Sequence, residues 1–150
     1  MIVRREAFLQ VGLLDEDYFL FLEETDWCYR MKKAGWSVFH VPQAEIYHSQ
    51  GKSAETVKKR AKIEFYRSRY HYFKKNRRPL ERLFLLVGLM MKLGVELVFI
   101  SAACLVSFFA VRKWRRKLDV TVYLMWWHLQ VCPKGMGLAE ELENKSLNVT

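Results

Sequence analysis

The sequence predicts an α/β segment at the front of the chain, followed by a basic helix and an apolar, membrane-associated helical region. Three observations carry that expectation. Residues 1–52 mix short helical stretches with aromatic, strand-like runs. Residues 54–76 set Lys and Arg around an apolar stripe. Residues 83–111 form the most apolar stretch, with no charge except Lys92 and Glu96.

The elements follow in order. Ala7–Val11 reads as a short helical turn stopped by Gly12. Leu13 to Asp17 reads as a loop, and Tyr18–Leu22 as an aromatic strand. Glu23 to Ala34 reads as a helix, because Trp27, Met31 and Ala34 share one face and Gly35 suits a left-handed stop. Trp36–Val41 alternates and ends at Pro42, as a strand does, and Glu45–His48 is a second extended piece. Ser53 is placed to cap a helix over 54–76. Its stripe is Ile63, Tyr66, Tyr70 and Phe73, and Asn76-Arg77-Arg78-Pro79 breaks it. The tail holds an amphipathic piece with Trp126 and Trp127, a turn at Pro133-Lys134-Gly135 and a polar end. The division expected is 1–78, 79–117 and 118–150.

Composition narrows the possibilities. The chain has 150 residues, and 51% of them are hydrophobic, enough to exclude wholesale disorder. Three scattered cysteines exclude a disulfide scaffold and suit a reducing compartment. Cys28, His40, His48 and Cys132 lack the spacing of a structural zinc site. The net charge of +9 is unevenly spread. Residues 1–26 carry two basic and seven acidic groups, whereas residues 27–78 carry fourteen basic and three acidic. A carboxylate-rich head can hold a cation or move protons, and a basic middle seeks phosphate.

Within 83–111, residues 93–111 are long enough to cross about 30 Å of hydrocarbon once, and too short for a helical hairpin. Basic residues flank both sides, at 58–82 and at 112–117. A single crossing cannot place both flanks on the cytoplasmic face. The segment therefore spans with the first flank excused by distance, or it is re-entrant or lies in the interface. A buried helix in a soluble fold is the remaining option.

Glu23, Glu24 and Asp26 crowd the start of the second helix. Acids there complement the helix dipole, and Asp26 with Arg30 forms an i,i+4 pair. The same cluster can also seat a general base among orienting carboxylates, which raise one another's pKa.

Several motifs occur in order: Gly12-Leu13-Leu14-Asp15-Glu16-Asp17-Tyr18-Phe19, then Phe21-Leu22-Glu23-Glu24-Thr25-Asp26-Trp27-Cys28-Tyr29-Arg30, then Lys33-Ala34-Gly35-Trp36, Val41-Pro42 and His48-Ser49-Gln50-Gly51-Lys52-Ser53. Together they strongly resemble the second half of a family 2 glycosyltransferase of the rhamnosyltransferase-like type. The resemblance covers residues 1 to about 78. It implies a partial GT-A fold, a nucleotide-sugar donor as co-substrate, a divalent cation (Mg or Mn), and inverting transfer to a glycan or lipid-linked acceptor. It implies Glu24 as catalytic base, with Glu23 and Asp26 as orienting neighbours. Asp15 and Arg30 fall on the acceptor side, with Arg30 also fixing Asp26, and His48 falls at the metal. Trp27 and Trp36 are read as core rather than as sugar platforms.

The family's donor-binding half, with its Asp-x-Asp, has no counterpart here. Asp15-Glu16-Asp17 has that spelling but stands on the acceptor-side loop. The expectation is a C-terminal piece of an enzyme, or one subunit of a split one, incomplete alone and held to the cytoplasmic face of a membrane. The alternative from another class is a non-catalytic, basic membrane-binding module; nucleic acid is not expected as a partner.

Overall fold

The computed structural model describes residues 1–45, Tyr47 and residues 58–139. Among them the regular elements are five α-helices and one 3₁₀ turn. They are α1 (Arg5–Val11), α2 (Glu23–Lys33), α3 (Lys58–Asn76), α4 (Pro79–Val106) and α5 (Arg112–Leu129), with the 3₁₀ turn at Lys134–Met136.

The expected α/β class, and with it the partial GT-A fold, is overturned. No strand is present among the described residues. A strand exists only by pairing its backbone with a neighbour, and no described segment offers one. Residues 36–41 run without regular structure. Tyr18–Leu22 bends instead of forming a strand, because Phe21 and Leu22 take left-handed φ values of 70° and 68°. Such values break a pleat and are costly for side chains of this size. Glu45–His48 lies only partly within the described residues, and Ser53 lies outside them.

The helices were more legible. α2 starts at Glu23, and Gly35 takes φ +91° just beyond it. There is no side-chain cap at Leu22, and Glu23, Glu24 and Asp26 set acidic charge against the positive end of the helix dipole in the first turn. α4 begins with Pro79 in its first turn, where a missing N–H costs nothing.

The core lies among α3, α4 and α5. Ile63 and Tyr66 of α3 meet Leu89 and Leu93 of α4 and Leu124 and Trp127 of α5. Trp127 is fully buried and donates from Nε1 to the Pro133 carbonyl at 3.0 Å. Buried Glu64 receives the amides of Leu138 (2.7 Å) and Ala139 (3.3 Å), which folds the segment after α5 back onto α3.

The α1–α2 head attaches to α3 at the other end. Trp27 Nε1 donates to the Gly12 carbonyl at 2.8 Å, and Trp36 Nε1 to Gln10 Oε1 at 2.8 Å. Both indoles therefore brace α1 and its loop. Ser68 Oγ donates to the Leu20 carbonyl at 2.6 Å and pins the irregular segment before α2.

Candidate functional site

The acid-rich start of α2 separates into three carboxylates with three different surroundings. Asp26 is fully buried and saturated. Its Oδ2 accepts from Arg30 Nε and from Lys75 Nζ, each at 2.8 Å. Its Oδ1 accepts from Asn76 Nδ2 at 2.8 Å and faces the Tyr18 hydroxyl at 3.5 Å. A carboxylate offers about four lone-pair sites, and all four are engaged. Burial pushes the Asp26 carboxyl up, but the bonds from Lys75, Asn76 and Arg30 outweigh it and hold its pKa below the ordinary value. An acid so saturated cannot take a substrate proton. It is an anchor.

Arg30 extends the anchor. Its two terminal nitrogens donate to the carbonyls of Val11 and Leu13, each at 2.7 Å. One guanidinium thus joins α2 to the loop that carries Asp15. Lys75 joins the same loop to α3, with Nζ 2.6 Å from Asp15 Oδ2. The bond from Lys75 lowers the Asp15 pKa despite partial burial, aided by the Asp17 amide. The Lys75 ammonium is disfavoured by burial, yet Asp15 and Asp26 raise its pKa above the ordinary value. Burial, and then the Asp26 charge, push the Tyr18 phenol upward, so it stays protonated as a donor.

Glu23 and Glu24 stand outside this anchor. Glu24 is exposed. Glu23 is half-buried, and its Oε2 is enclosed with no hydrogen-bond partner among the described residues. Both follow directly on the left-handed pair Phe21–Leu22, which sets the angle at which the first turn of α2 emerges. Strained backbone of this kind often marks positions where side-chain placement is functional. His48 lies outside the described residues.

Asp15, Asp17 and His71 bring ligand atoms within 4.8 Å of one another. His71 Nε2 is 3.7 Å from Asp15 and 3.9 Å from Asp17, and has no hydrogen-bond partner among the described residues. The arrangement does not fit a resident divalent cation, because the Lys75 ammonium already sits against Asp15 and supplies the positive charge that carboxylate needs.

Lys75, Asn76, Tyr18 and His71 were not singled out in the sequence as parts of this site. Lys75 read as one of many cations on a basic helix, and Asn76 as its terminator. The signal that could have found them is the charge partition. An acidic head followed directly by a basic stretch is an instruction to pair the two.

Two proteins of Mycobacterium tuberculosis, from strains CDC 1551 / Oshkosh and ATCC 25618 / H37Rv, match part of this chain. Each is named N-acetylglucosaminyl-diphospho-decaprenol L-rhamnosyltransferase. Each is 47% identical over 53 residues, which is 35% of this chain and 17% of the relative. The chain is therefore related to a glycosyltransferase over that segment, and the match spans about a sixth of the relatives' length. No family model matches, and no solved structure matches.

Proposed function

We propose that the chain supplies the acceptor-activating end of a membrane-associated glycosyltransferase of the inverting, family 2 kind. It serves transfer of a sugar from a nucleotide-sugar donor to a hydroxyl of a glycan or lipid-linked acceptor at the cytoplasmic face. The observation that carries this reading is the 47% identity over 53 residues to proteins named for rhamnosyl transfer onto a lipid diphosphate-linked sugar. The presence, among the described residues, of one helix long and apolar enough to cross a membrane is compatible with a lipid-linked acceptor.

Glu24 is the proposed base. Its carboxylate takes the proton of the acceptor hydroxyl as that oxygen forms its bond to the anomeric carbon. The bond from that carbon to the nucleotide diphosphate breaks, and the diphosphate leaves with the electron pair. Glu24 suits this role because it is exposed at a fixed helix start, whereas Asp26 is saturated. Asp26, Arg30 and Lys75 are positioning residues that hold α2 and the Asp15 loop in register. Glu23, with one enclosed oxygen that has no partner among the described residues, orients beside the base, and Asp15 shapes the acceptor side. A divalent cation, Mg or Mn, belongs with the donor diphosphate, with His48 proposed as its ligand; the steps assigned to the described residues do not pass through it.

The test is sugar transfer in membranes carrying the chain together with a co-expressed donor-binding half, from nucleotide-activated L-rhamnose to extracted lipid-linked acceptors. Transfer that rises with the wild-type chain and not with Glu24→Gln supports the proposal. Membranes that bind the chain but gain no transfer from any nucleotide sugar would instead support a membrane-binding module without catalysis.

A further inference from the structure

We propose that the α4–α5 hairpin lies in the plane of an anionic membrane surface, with Arg78 and Lys113 on the same side, rather than crossing the bilayer. The inference rests on the membrane part of the reading above and adds its geometry.

α4 has two opposite faces. Leu89, Leu93, Ile100 and Cys104 recur at helical spacing and are buried. On the other side, Leu80, Phe84, Val87, Met91, Val95, Val98 and Leu105 form a stripe of exposed apolar residues along the whole helix. Only 17% of its most apolar window is buried. α5 adds Val122, Trp126 and Leu129, exposed at spacings of four and three. Apolar surface of this extent, unpartnered among the described residues, marks an interaction site.

Length alone would let α4 cross, since its 28 residues extend about 42 Å. Its neighbours oppose that. The Lys117 ammonium on α5 lies 2.9 Å from Glu96 in the middle of α4, with Lys92 one turn before Glu96. The N-terminal half of α4 packs on α3 through Leu89, Leu93, Ile63 and Tyr66. α3 is a helix of Lys and Arg, and its Lys59 also pairs with Asp119 of α5. A crossing centred on α4 would therefore carry charged groups from three helices into hydrocarbon.

Shifting the crossing toward residues 93–111 does not help. α5 folds back against α4, so that Trp114 and Lys117 line one groove with Val95, Phe99, Ile100 and Ala103. Exposed Arg112, Lys113, Arg115 and Arg116 are then level with the span itself. A re-entrant hairpin fails for the same reason, because its tip at Phe108 and Phe109 would take those four cations deepest. Lying flat removes that conflict. The apolar stripe enters the acyl boundary, and the cations stay among anionic headgroups. It also resolves the basic flanks on both sides of the apolar segment, since both then face the cytoplasm.

Sidedness is the experiment. Full-length Arg78→Cys and Lys113→Cys, each with Cys28→Ser and Cys132→Ser, are labelled with a membrane-impermeant maleimide in sealed inverted vesicles. Both cysteines should label without detergent. One cysteine labelling only after detergent would overturn the in-plane arrangement and leave membrane attachment and the transferase reading standing. A wild-type chain that stays in the soluble fraction would overturn both the arrangement and membrane attachment, while sugar transfer remains a separate readout. Arg115→Gln with Arg116→Gln should weaken binding to phosphatidylglycerol-containing vesicles by about fivefold per charge, and leave binding to phosphatidylcholine vesicles unchanged. Equal loss on both vesicle types would contradict the headgroup role of these arginines.

Discussion

The two ends of α3 are held by opposite physics. Toward its start, Ile63 and Tyr66 join Leu93, Leu124 and Trp127 in an apolar core. At its end, Lys75 and Asn76 reach across to Asp26 and Asp15 through charge-assisted bonds of 2.6–2.8 Å. Burial is non-directional, so the core fixes that helices pack but tolerates small shifts. A saturated carboxylate is directional, so the anchor fixes where the first turn of α2 points. The region that has to place a reacting group is the one held by geometry.

The largest expected effect is in the core. Trp127→Ala removes a fully buried indole and should cost about 3–5 kcal/mol. Denaturant unfolding followed by helical circular dichroism would show it. A loss confined to the α1–α2 head would break the comparison.

Next comes the anchor. Asp26→Asn keeps the shape but removes the charge that Arg30 and Lys75 share, and should cost about 1.5–3 kcal/mol locally. Hydrogen exchange should accelerate in α2 and its preceding loop and stay unchanged in α4 and α5.

The pH dependence sharpens the contrast. Asp15 and Asp26 have folded-state pKa values below their ordinary ones, so their contribution is present above about pH 4 and lost as pH falls through the depressed values. Lys75 is shifted the other way, so its contribution is complete below its ordinary pKa of about 10.5 and lost as pH rises through the raised value. The head should therefore resist proteolysis between those limits and loosen outside them, while the apolar core persists. Loosening near neutral pH would contradict this.

The smallest effect should come from Tyr70→Phe. The Tyr70 hydroxyl lies 2.7 Å from His128 Nε2, and its loss should cost about 1 kcal/mol. The same unfolding assay applies.

How much was legible in the sequence follows the same division. Helical periodicity is local, so α2, the basic α3 and the apolar α4 could be read from neighbours three and four residues apart. The strands expected at Tyr18–Leu22 and Trp36–Val41 could not be verified that way, because a strand depends on a partner elsewhere in the chain. Tyr18–Leu22 has the composition of a strand, yet Phe21 and Leu22 turn left-handed where Ser68 holds the Leu20 carbonyl. At the site, the Asp26–Arg30 pair is one helical turn and was visible. Lys75 and Asn76, 49 and 50 residues from Asp26, were not. The hairpin was missed because 83–111 was measured for length alone, while the returning arm, α5, carries its apolar residues on separate faces.

The central claim is that the start of α2 divides its labour, with Asp26 anchoring and Glu24 reacting. The direct measurement is turnover of Glu24→Gln beside Asp26→Asn, each co-expressed with the donor-binding half and paired with hydrogen exchange of α2. Glu24→Gln should lower kcat by about 10²–10⁴-fold with α2 exchange unchanged, since Glu24 is exposed and outside the anchor. Asp26→Asn should lower activity only together with faster α2 exchange. Near-normal turnover for Glu24→Gln, or a loss for Asp26→Asn with α2 exchange unaltered, would contradict that division.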